Sequence, residues 1–165
     1  MSVIIAPHKQ IYTTAFMLRL IFSCWTVCFG CNIGAGSYSY AETYNIPASE
    51  QKVIEAVNDF KAQHPEIVVP ISGVNDGRID SSDHWYHIYF YLPKANKIVY
   101  CWTRPENKNE TTFAIVGVNE GLKLGNWKYV NKDFSSSENK KILEELEKTL
   151  INPIIEIVQK ENGLQ

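Results

Sequence analysis

The chain has 165 residues, of which 45% are hydrophobic, and its formal net charge is −2. This length suits one globular domain, and the apolar content together with 7 Phe, 9 Tyr and 4 Trp excludes a disordered or collagen-like chain. Residues 1–41 contain no acidic side chain, so the rest of the chain carries all 18 acidic and 14 of the 16 basic ones, a net charge of −4. A mildly acidic domain without a basic stripe is not attracted to nucleic acid, and we expect no nucleic-acid partner.

The N-terminal segment has the pattern of a secretory signal. Arg19 precedes the uncharged, largely apolar residues 20–31. That stretch is shorter than the roughly 20 apolar residues that a membrane-spanning helix needs. Small and polar residues follow it, and Ser39 and Ala41 fit the two small positions before a cleavage site. The pattern therefore predicts export of the protein to the periplasm or the cell exterior.

Cleavage after Ala41 would divide the chain into a signal peptide over 1–41 and a single mature domain over 42–165. Met17 is an alternative start, because it begins a compact basic region before the apolar stretch. A second exported form would carry a lipid on Cys31, which follows a glycine as in a lipobox. Without that lipid we expect no stable insertion of the mature chain into a membrane. The remaining alternative is that the apolar stretch is retained as a membrane anchor or a buried helix.

Two helices are predicted, one near each end of the mature domain. The first spans 49–64, where apolar residues repeat at helical spacing and Pro65 ends the helix. The second is announced by Ser135 and Glu138, which form a capping box. Pro153 should kink or restart this helix, because proline lacks the N–H that a helical hydrogen bond needs. The helix residues expected to be buried against the sheet are Val57, Phe60, Leu143, Leu146 and Leu150.

Between the helices the pattern predicts an antiparallel sheet of about four to five strands. Pro70 should place its strand at a sheet edge, because proline cannot donate to the ladder. A polar loop is expected over 105–110. Strands grouped between two terminal helices define the α+β class, and we expect both helices to pack on one face. The predicted strands, each a β-branched or aromatic run bounded by turn residues, cover 67–72, 84–92, 97–103, 111–118 and 127–130.

The register of the central hairpin determines which side chains share a face. A four-residue turn pairs Leu92 with Lys97, and alternation then puts Ile88 and Cys101 together on an aliphatic face. Because the helices are expected on that face, the opposite aromatic face is the candidate binding surface, since Tyr and Trp give a large contact area with a polar tip. The alternative is that the aromatic residues form a second core layer. The candidate binding residues on this face are Trp85, His87, Tyr89, Tyr91, Tyr100 and Trp102.

One group of residues has the composition of a thiol hydrolase site. Cys101, His87 and Asp83 are the residue types with which a histidine activates a cysteine and a carboxylate orients the histidine. In the four-residue-turn register Cys101 and His87 point to opposite faces, so a hydrolase would need a register shift of one residue. We expect Cys101 to be packed as a small hydrophobic residue and predict no catalytic residue.

Two further groups contain metal-binding residue types without a metal-binding pattern. His84 and His87 have a spacing that suits a helix, whereas residues three apart on a strand face opposite sides. Asp76, Asp80 and Asp83 do not follow the alternating pattern of an EF-hand loop. The sequence also lacks phosphate-loop and serine-hydrolase signatures. We therefore expect no metal and no cofactor.

These features favour a small exported, non-enzymatic domain that binds another protein, such as an inhibitor or an immunity protein. One alternative is an envelope protein that binds a small ligand, which a pocket beside Tyr89 and Tyr100 would favour. The other is a cysteine-dependent hydrolase that uses Cys101 and His87.

Overall fold

The structure, a computed structural model, describes residues 38–161 and residue 163. Met17, Cys31 and the apolar stretch 20–31 lie outside these described residues. The described chain runs in order through strand β1 (Glu42–Ile46), helix α1 (Glu50–Gln63), a 3-10 turn (Pro65–Ile67), strands β2 (Tyr86–Leu92), β3 (Lys97–Asn107), β4 (Glu110–Glu120) and β5 (Trp127–Tyr129), helix α2 (Ser136–Leu146), a π-helical turn (Glu147–Ile151) and helix α3 (Asn152–Glu161).

The strands form one antiparallel sheet in the order β1-β4-β3-β2. β5 also pairs with β4. β1 lies along residues 111–115 of β4 and β5 along residues 117–119, so the two short strands share one edge of β4. The architecture confirms the predicted α+β class with an antiparallel sheet of four to five strands. Among the described residues, no helix is long and apolar enough to cross a membrane.

The helices and one face of the sheet share a single hydrophobic cluster. Ile88 and Phe90 of β2 and Cys101 of β3 are fully buried in it, as the predicted aliphatic face requires. Burial of these side chains is the main source of stability, because each apolar side chain removed from water contributes roughly 1.5 to 3 kcal/mol. Of the helix residues expected in the core, Leu143 is half-buried and the buried ones are Val57, Phe60, Leu146 and Leu150.

The C-terminal helical region begins and is interrupted where the sequence predicts. The Glu138 N–H donates to Ser135 Oγ at 3.4 Å and the Ser135 N–H donates to Glu138 Oε2 at 3.2 Å, so the capping box is formed. The π-helical turn separates α2 from α3 immediately before Pro153. Because Pro153 cannot donate to a carbonyl one turn earlier, the chain leaves α-helical geometry at this point and restarts.

Two of the predicted boundaries are wrong, and both errors involve proline. Residues 67–72 form no strand; the chain makes the 3-10 turn at Pro65–Ile67 and then an irregular segment up to β2, because Pro65 and Pro70 fix φ and lack ladder donors. Residues 105–110 are not a long polar loop, since β3 continues to Asn107 and β4 begins at Glu110. A register irregularity between Pro105 and Asn107 accommodates the proline within β3.

Strand β1 was not predicted. It has only five residues, so its alternation of exposed and buried side chains is brief. Thr43 and Asn45 are exposed, whereas Ile46 is buried. Five residues give too little alternation to distinguish a strand from a loop, so β1 is identified only by its pairing with β4.

Candidate functional site

The hairpin register is the predicted one. Tyr89 is opposite Tyr100, His87 is opposite Trp102, and the turn pairs Leu92 with Lys97. The six candidate binding residues therefore share the sheet face opposite the helix-packed one. We call this surface the aromatic face; its members are Trp85, His87, Tyr89, Tyr91, Tyr100 and Trp102 with two residues that the structure adds, Tyr38 and Trp127.

One half of the aromatic face is open. Tyr89 stacks on Tyr100 with ring centroids 5.1 Å apart, and Trp127 packs edge-on to Tyr100 at 6.0 Å. All three side chains are half-buried, as is Tyr91, whose hydroxyl donates to Asn96 Oδ1 at 3.0 Å. The rings of this open half are thus held in place by one another while part of each remains accessible.

Trp127 reaches Tyr100 because β5 lies unusually close to β4. A Cβ on Gly117 would lie 2.6 Å from the carbonyl oxygen of Lys128, which is closer than non-bonded atoms approach. Only glycine permits this approach, and it positions the tryptophan at the start of β5 over the centre of the face.

The other half of the aromatic face is covered. Trp102 is 5% exposed, and the Tyr38 ring lies over it and over Trp85, with centroid distances of 5.8 and 5.3 Å. Ala114 and Val116 of β4 pack against the same cluster. This half is packed as the second-core-layer alternative requires: Trp102, one of the six candidate binding residues, is buried and not exposed.

His87 is also buried rather than exposed, at 6%, and belongs to a chain of hydrogen bonds. Its Nε2 lies 2.9 Å from Asp83 Oδ2, and its Nδ1 lies 2.7 Å from the Tyr100 hydroxyl. The Tyr100 hydroxyl is in turn 2.7 Å from that of Tyr38. An ionised Asp83 can only accept, so Nε2 donates to it, and in the neutral ring Nδ1 accepts from Tyr100. The chain therefore gives both ring nitrogens of His87 and the Tyr100 hydroxyl a hydrogen-bond partner.

Two members of this chain of hydrogen bonds, Asp83 and Tyr100, have shifted pKa values. Hydrogen bonds from the backbone N–H groups of Ile79 and Trp85, followed by the contact with His87, lower the pKa of Asp83 from 3.8 to about 2. Burial, together with the hydrogen bond to Tyr38, raises the pKa of Tyr100 above its ordinary value. Asp83 is therefore a carboxylate, and Tyr100 a neutral phenol, throughout the physiological range.

Asp83→Asn should destabilise the domain at pH 7, and the effect should disappear in acid. We expect a loss of about 1.5 to 3 kcal/mol, the usual worth of a hydrogen bond to a charged group. Because the folded-state pKa of Asp83 is below 3.8, its contribution is present above pH 4 and is lost as the pH falls through about 2. Urea unfolding of both proteins at about pH 7, 4 and 2 measures this difference. An unchanged difference at all three pH values would contradict the assignment.

The outer edge of β2, beside the aromatic face, is closed to another strand. Lys61 Nζ donates to the Tyr89 carbonyl at 2.7 Å, and the Tyr89 N–H donates to Asp76 Oδ1 at 2.9 Å. Lys61 and Asp76 also form an ion pair, and Gly77 bridges to the backbone of His87. These groups satisfy the outward-facing backbone donors and acceptors of His87 and Tyr89, which hinders the addition of another strand along this part of the edge.

Cys101 lies on the opposite face, fully buried among aliphatic side chains. Burial raises the pKa of its thiol, which disfavours the reactive thiolate. Its partner across the hairpin is Ile88, so the contact with His87 that a hydrolase requires is not formed.

The aspartates and histidines considered as metal ligands have other contacts. Asp76 contacts Lys61, and Asp80 accepts from both the N–H and the hydroxyl of Ser82. His84 is exposed, in contrast to the buried His87. Residues 38–161 contain no group of three or more potential metal ligands.

The described residues line two surface pockets of note, and neither includes Tyr89 or Tyr100. The larger, of about 440 Å³, lies beside α2 and is lined in part by Phe134 and Leu143. The smaller, of about 280 Å³, lies between the residues before β1 and the end of β5, with Tyr40, Tyr129 and Lys132 in its wall.

Comparison of the sequence with protein-family models finds no match, and comparison with curated proteins finds none either. Function is therefore inferred from the geometry of the described residues and from the sequence pattern.

Proposed function

We propose that the protein is a small exported domain that binds another protein through the aromatic face, as an inhibitor or an immunity protein does. The observation that carries this proposal is the open half of the face. There Tyr89 stacks on Tyr100, Trp127 packs edge-on to Tyr100, and all three are only half-buried. They lie on the sheet face opposite the hydrophobic cluster that contains Cys101 and the buried helix residues. Aromatic side chains of this kind dominate the energetics of protein interfaces.

The open half is also pre-organised. Mutual stacking fixes the rings, and the chain from Asp83 through His87 holds the Tyr100 hydroxyl. A surface that is already ordered loses less conformational entropy on binding, which favours affinity. The net charge of −4 over 42–165 would further favour encounter with a basic partner.

Tyr89→Ala should weaken binding of the partner by at least about 2 kcal/mol, a rise in Kd of about 30-fold. The test uses the full chain as bait in extracts and culture medium of the source cells, with bound proteins identified by mass spectrometry. Affinities are then measured with the purified partner. Circular dichroism checks that the variant is folded.

Val68→Ala is the control for this experiment, because Val68 is 48% exposed and lies outside the aromatic face. The partner should be bound by the wild type and by this control, and lost with Tyr89→Ala. A partner bound equally by all three proteins, or none bound by any, would argue against recognition through this face.

We further propose export, on the grounds of the N-terminal pattern. N-terminal sequencing of the protein recovered from the periplasm or the medium is expected to give a chain that begins near Glu42. A soluble protein that retains residues 20–31 would contradict the signal-peptide proposal.

A second candidate function, binding of a small ligand, is favoured by the pocket of about 280 Å³. Tyr40 and Tyr129 give this pocket an aromatic wall, and the Lys132 ammonium group lies over both rings. The pocket thus combines apolar area with a charged group that a ligand could contact. Its position away from Tyr89 and Tyr100 places it second. The hydrolase alternative has no such support, since Cys101 and His87 lie on opposite faces.

A further inference from the structure

The covered half of the aromatic face is a slot that holds one tyrosine side chain. The Tyr38 ring lies 5.3 Å from Trp85 and 5.8 Å from Trp102, centroid to centroid, and its hydroxyl is 2.7 Å from that of Tyr100. Ala114 and Val116 belong to the same cluster. The slot thus combines indole walls with a hydrogen-bonding end, which is the environment that a phenol ring prefers.

The segment that fills the slot has few backbone attachments to the fold. Residues 38–40 form a turn before β1, closed by the Ala41 N–H donating to the Tyr38 carbonyl at 3.0 Å. The side chain of Asn131 adds one hydrogen bond to the Tyr40 carbonyl at 3.2 Å. Within residues 38–161 no sheet ladder includes Tyr38, and the contacts described for it are mainly those of its own side chain.

Trp102, one wall of the slot, has a donor without an acceptor. Its Nε1 is buried and has no hydrogen-bond partner among the described residues. A buried donor of this kind carries a desolvation penalty, and an oxygen atom brought in by a binding partner would remove that penalty.

We propose that this slot is the anchor site for a tyrosine of the protein partner, and that Tyr38 occupies it in the unbound chain. This inference rests on the proposed function. The partner's ring would replace that of Tyr38 against Trp85 and Trp102, which also contact each other, and its hydroxyl would bind to that of Tyr100. A backbone oxygen of the same partner segment would accept from Trp102 Nε1.

Tyr38 then acts as a competitor within the chain. A competitor that is part of the same chain has a high effective concentration. It therefore lowers the apparent affinity of the partner until the Tyr38 side chain is displaced or removed. The predicted cleavage after Ala41 would remove it outright. Export would in that case uncover Trp85, Trp102 and the Tyr100 hydroxyl only once the leader is lost.

The test uses the full chain and N-acetyl-L-tyrosinamide as the probe. Binding is followed by tryptophan fluorescence and by the indole N–H signals of Trp85 and Trp102. Because the intramolecular competitor is removed, Tyr38→Ala should bind the probe at least about tenfold more tightly than the wild type does. N-acetyl-L-phenylalaninamide, which cannot bond to Tyr100, should bind to this variant at least about fivefold more weakly than the probe.

Val68→Ala is the control, because Val68 is 48% exposed and lies outside the slot and outside the pocket that contains Tyr40. It should bind the probe as weakly as the wild type does. Equal binding by the wild type and Tyr38→Ala, or equal binding of the two probes, would overturn the inference. If Tyr38→Ala fails to fold, Tyr38→Phe replaces it. Because this variant loses the hydroxyl contact with Tyr100, it should bind the probe more tightly than the wild type does. Unchanged binding of the probe by Tyr38→Phe would overturn the inference.

The probe experiment involves no partner, so its failure is distinct from failure of the proposed function. If Tyr89→Ala abolishes binding of the partner but Tyr38→Ala does not bind the probe, the proposed function is supported and the slot is not a tyrosine-binding site. Probe binding without any captured partner would support the slot and count against the proposed function.

Discussion

Replacing Leu146 by alanine should lower the free energy of unfolding by about 2 to 5 kcal/mol. Leu146 is the last residue of α2, is 2% exposed, and belongs to the cluster shared by the helices and the sheet. Truncation removes buried methyl groups and leaves a cavity that the surrounding side chains fill only partly. The loss is a large fraction of the stability that a domain of this size usually has.

Leu124→Ala is the control for this prediction, because Leu124 is 45% exposed and is outside the cluster. It should change the free energy of unfolding by less than about 0.5 kcal/mol. Urea unfolding at pH 7 measures both variants. A loss under about 0.5 kcal/mol for Leu146→Ala would mean that this face of α2 is not part of the core.

Trp102→Ala should lower the free energy of unfolding by about 3 to 5 kcal/mol. We expect this loss of stability to be its main effect, and any loss of partner binding to follow from it. The sequence pattern had instead placed Trp102 among the candidate binding residues. Trp102 is 5% exposed beneath the Tyr38 ring and packs with Ala114 and Val116, so its truncation opens a cavity. Calorimetry and urea unfolding give the size of the effect.

Trp127→Ala is the matched comparison, since Trp127 is a half-buried tryptophan on the open half of the same face. We expect it to cost less than half as much stability as Trp102→Ala, because less apolar area is lost from the interior. Equal losses for the two variants would show that the division of the face into an open and a covered half is wrong.

The elements predicted from sequence are those determined by local rules. Four residues between Leu92 and Lys97 determine the hairpin register, because a one-residue shift would move every side chain to the other face. The capping box at Ser135 and the missing N–H of Pro153 likewise act within one or two turns of helix. Each of these features is visible in a short window of sequence.

The features that the sequence did not reveal depend on contacts between distant residues. Tyr38 and Tyr100 are 62 positions apart, and nothing in the local pattern around Tyr38 separates a folded turn from the end of a leader. Trp127 was recognised as part of a strand, but its face could not be assigned without the pairing of β5 with β4. Asp83 and His87 were recognised by residue type. Only the geometry shows that His87 is hydrogen-bonded to Asp83 and to Tyr100, and not to Cys101.

The central claim is that the open half of the aromatic face is the recognition surface, and hydroxyl-radical footprinting of the complex tests it most directly. Oxidation of Tyr89, Tyr91 and Trp127 should fall at least about fivefold when the captured partner is bound, because buried interface side chains are shielded from solvent. Val68 and Leu124, exposed elsewhere, should be oxidised as in the free protein. Protection of Val68 or Leu124 with Tyr89 and Trp127 unchanged would contradict the claim.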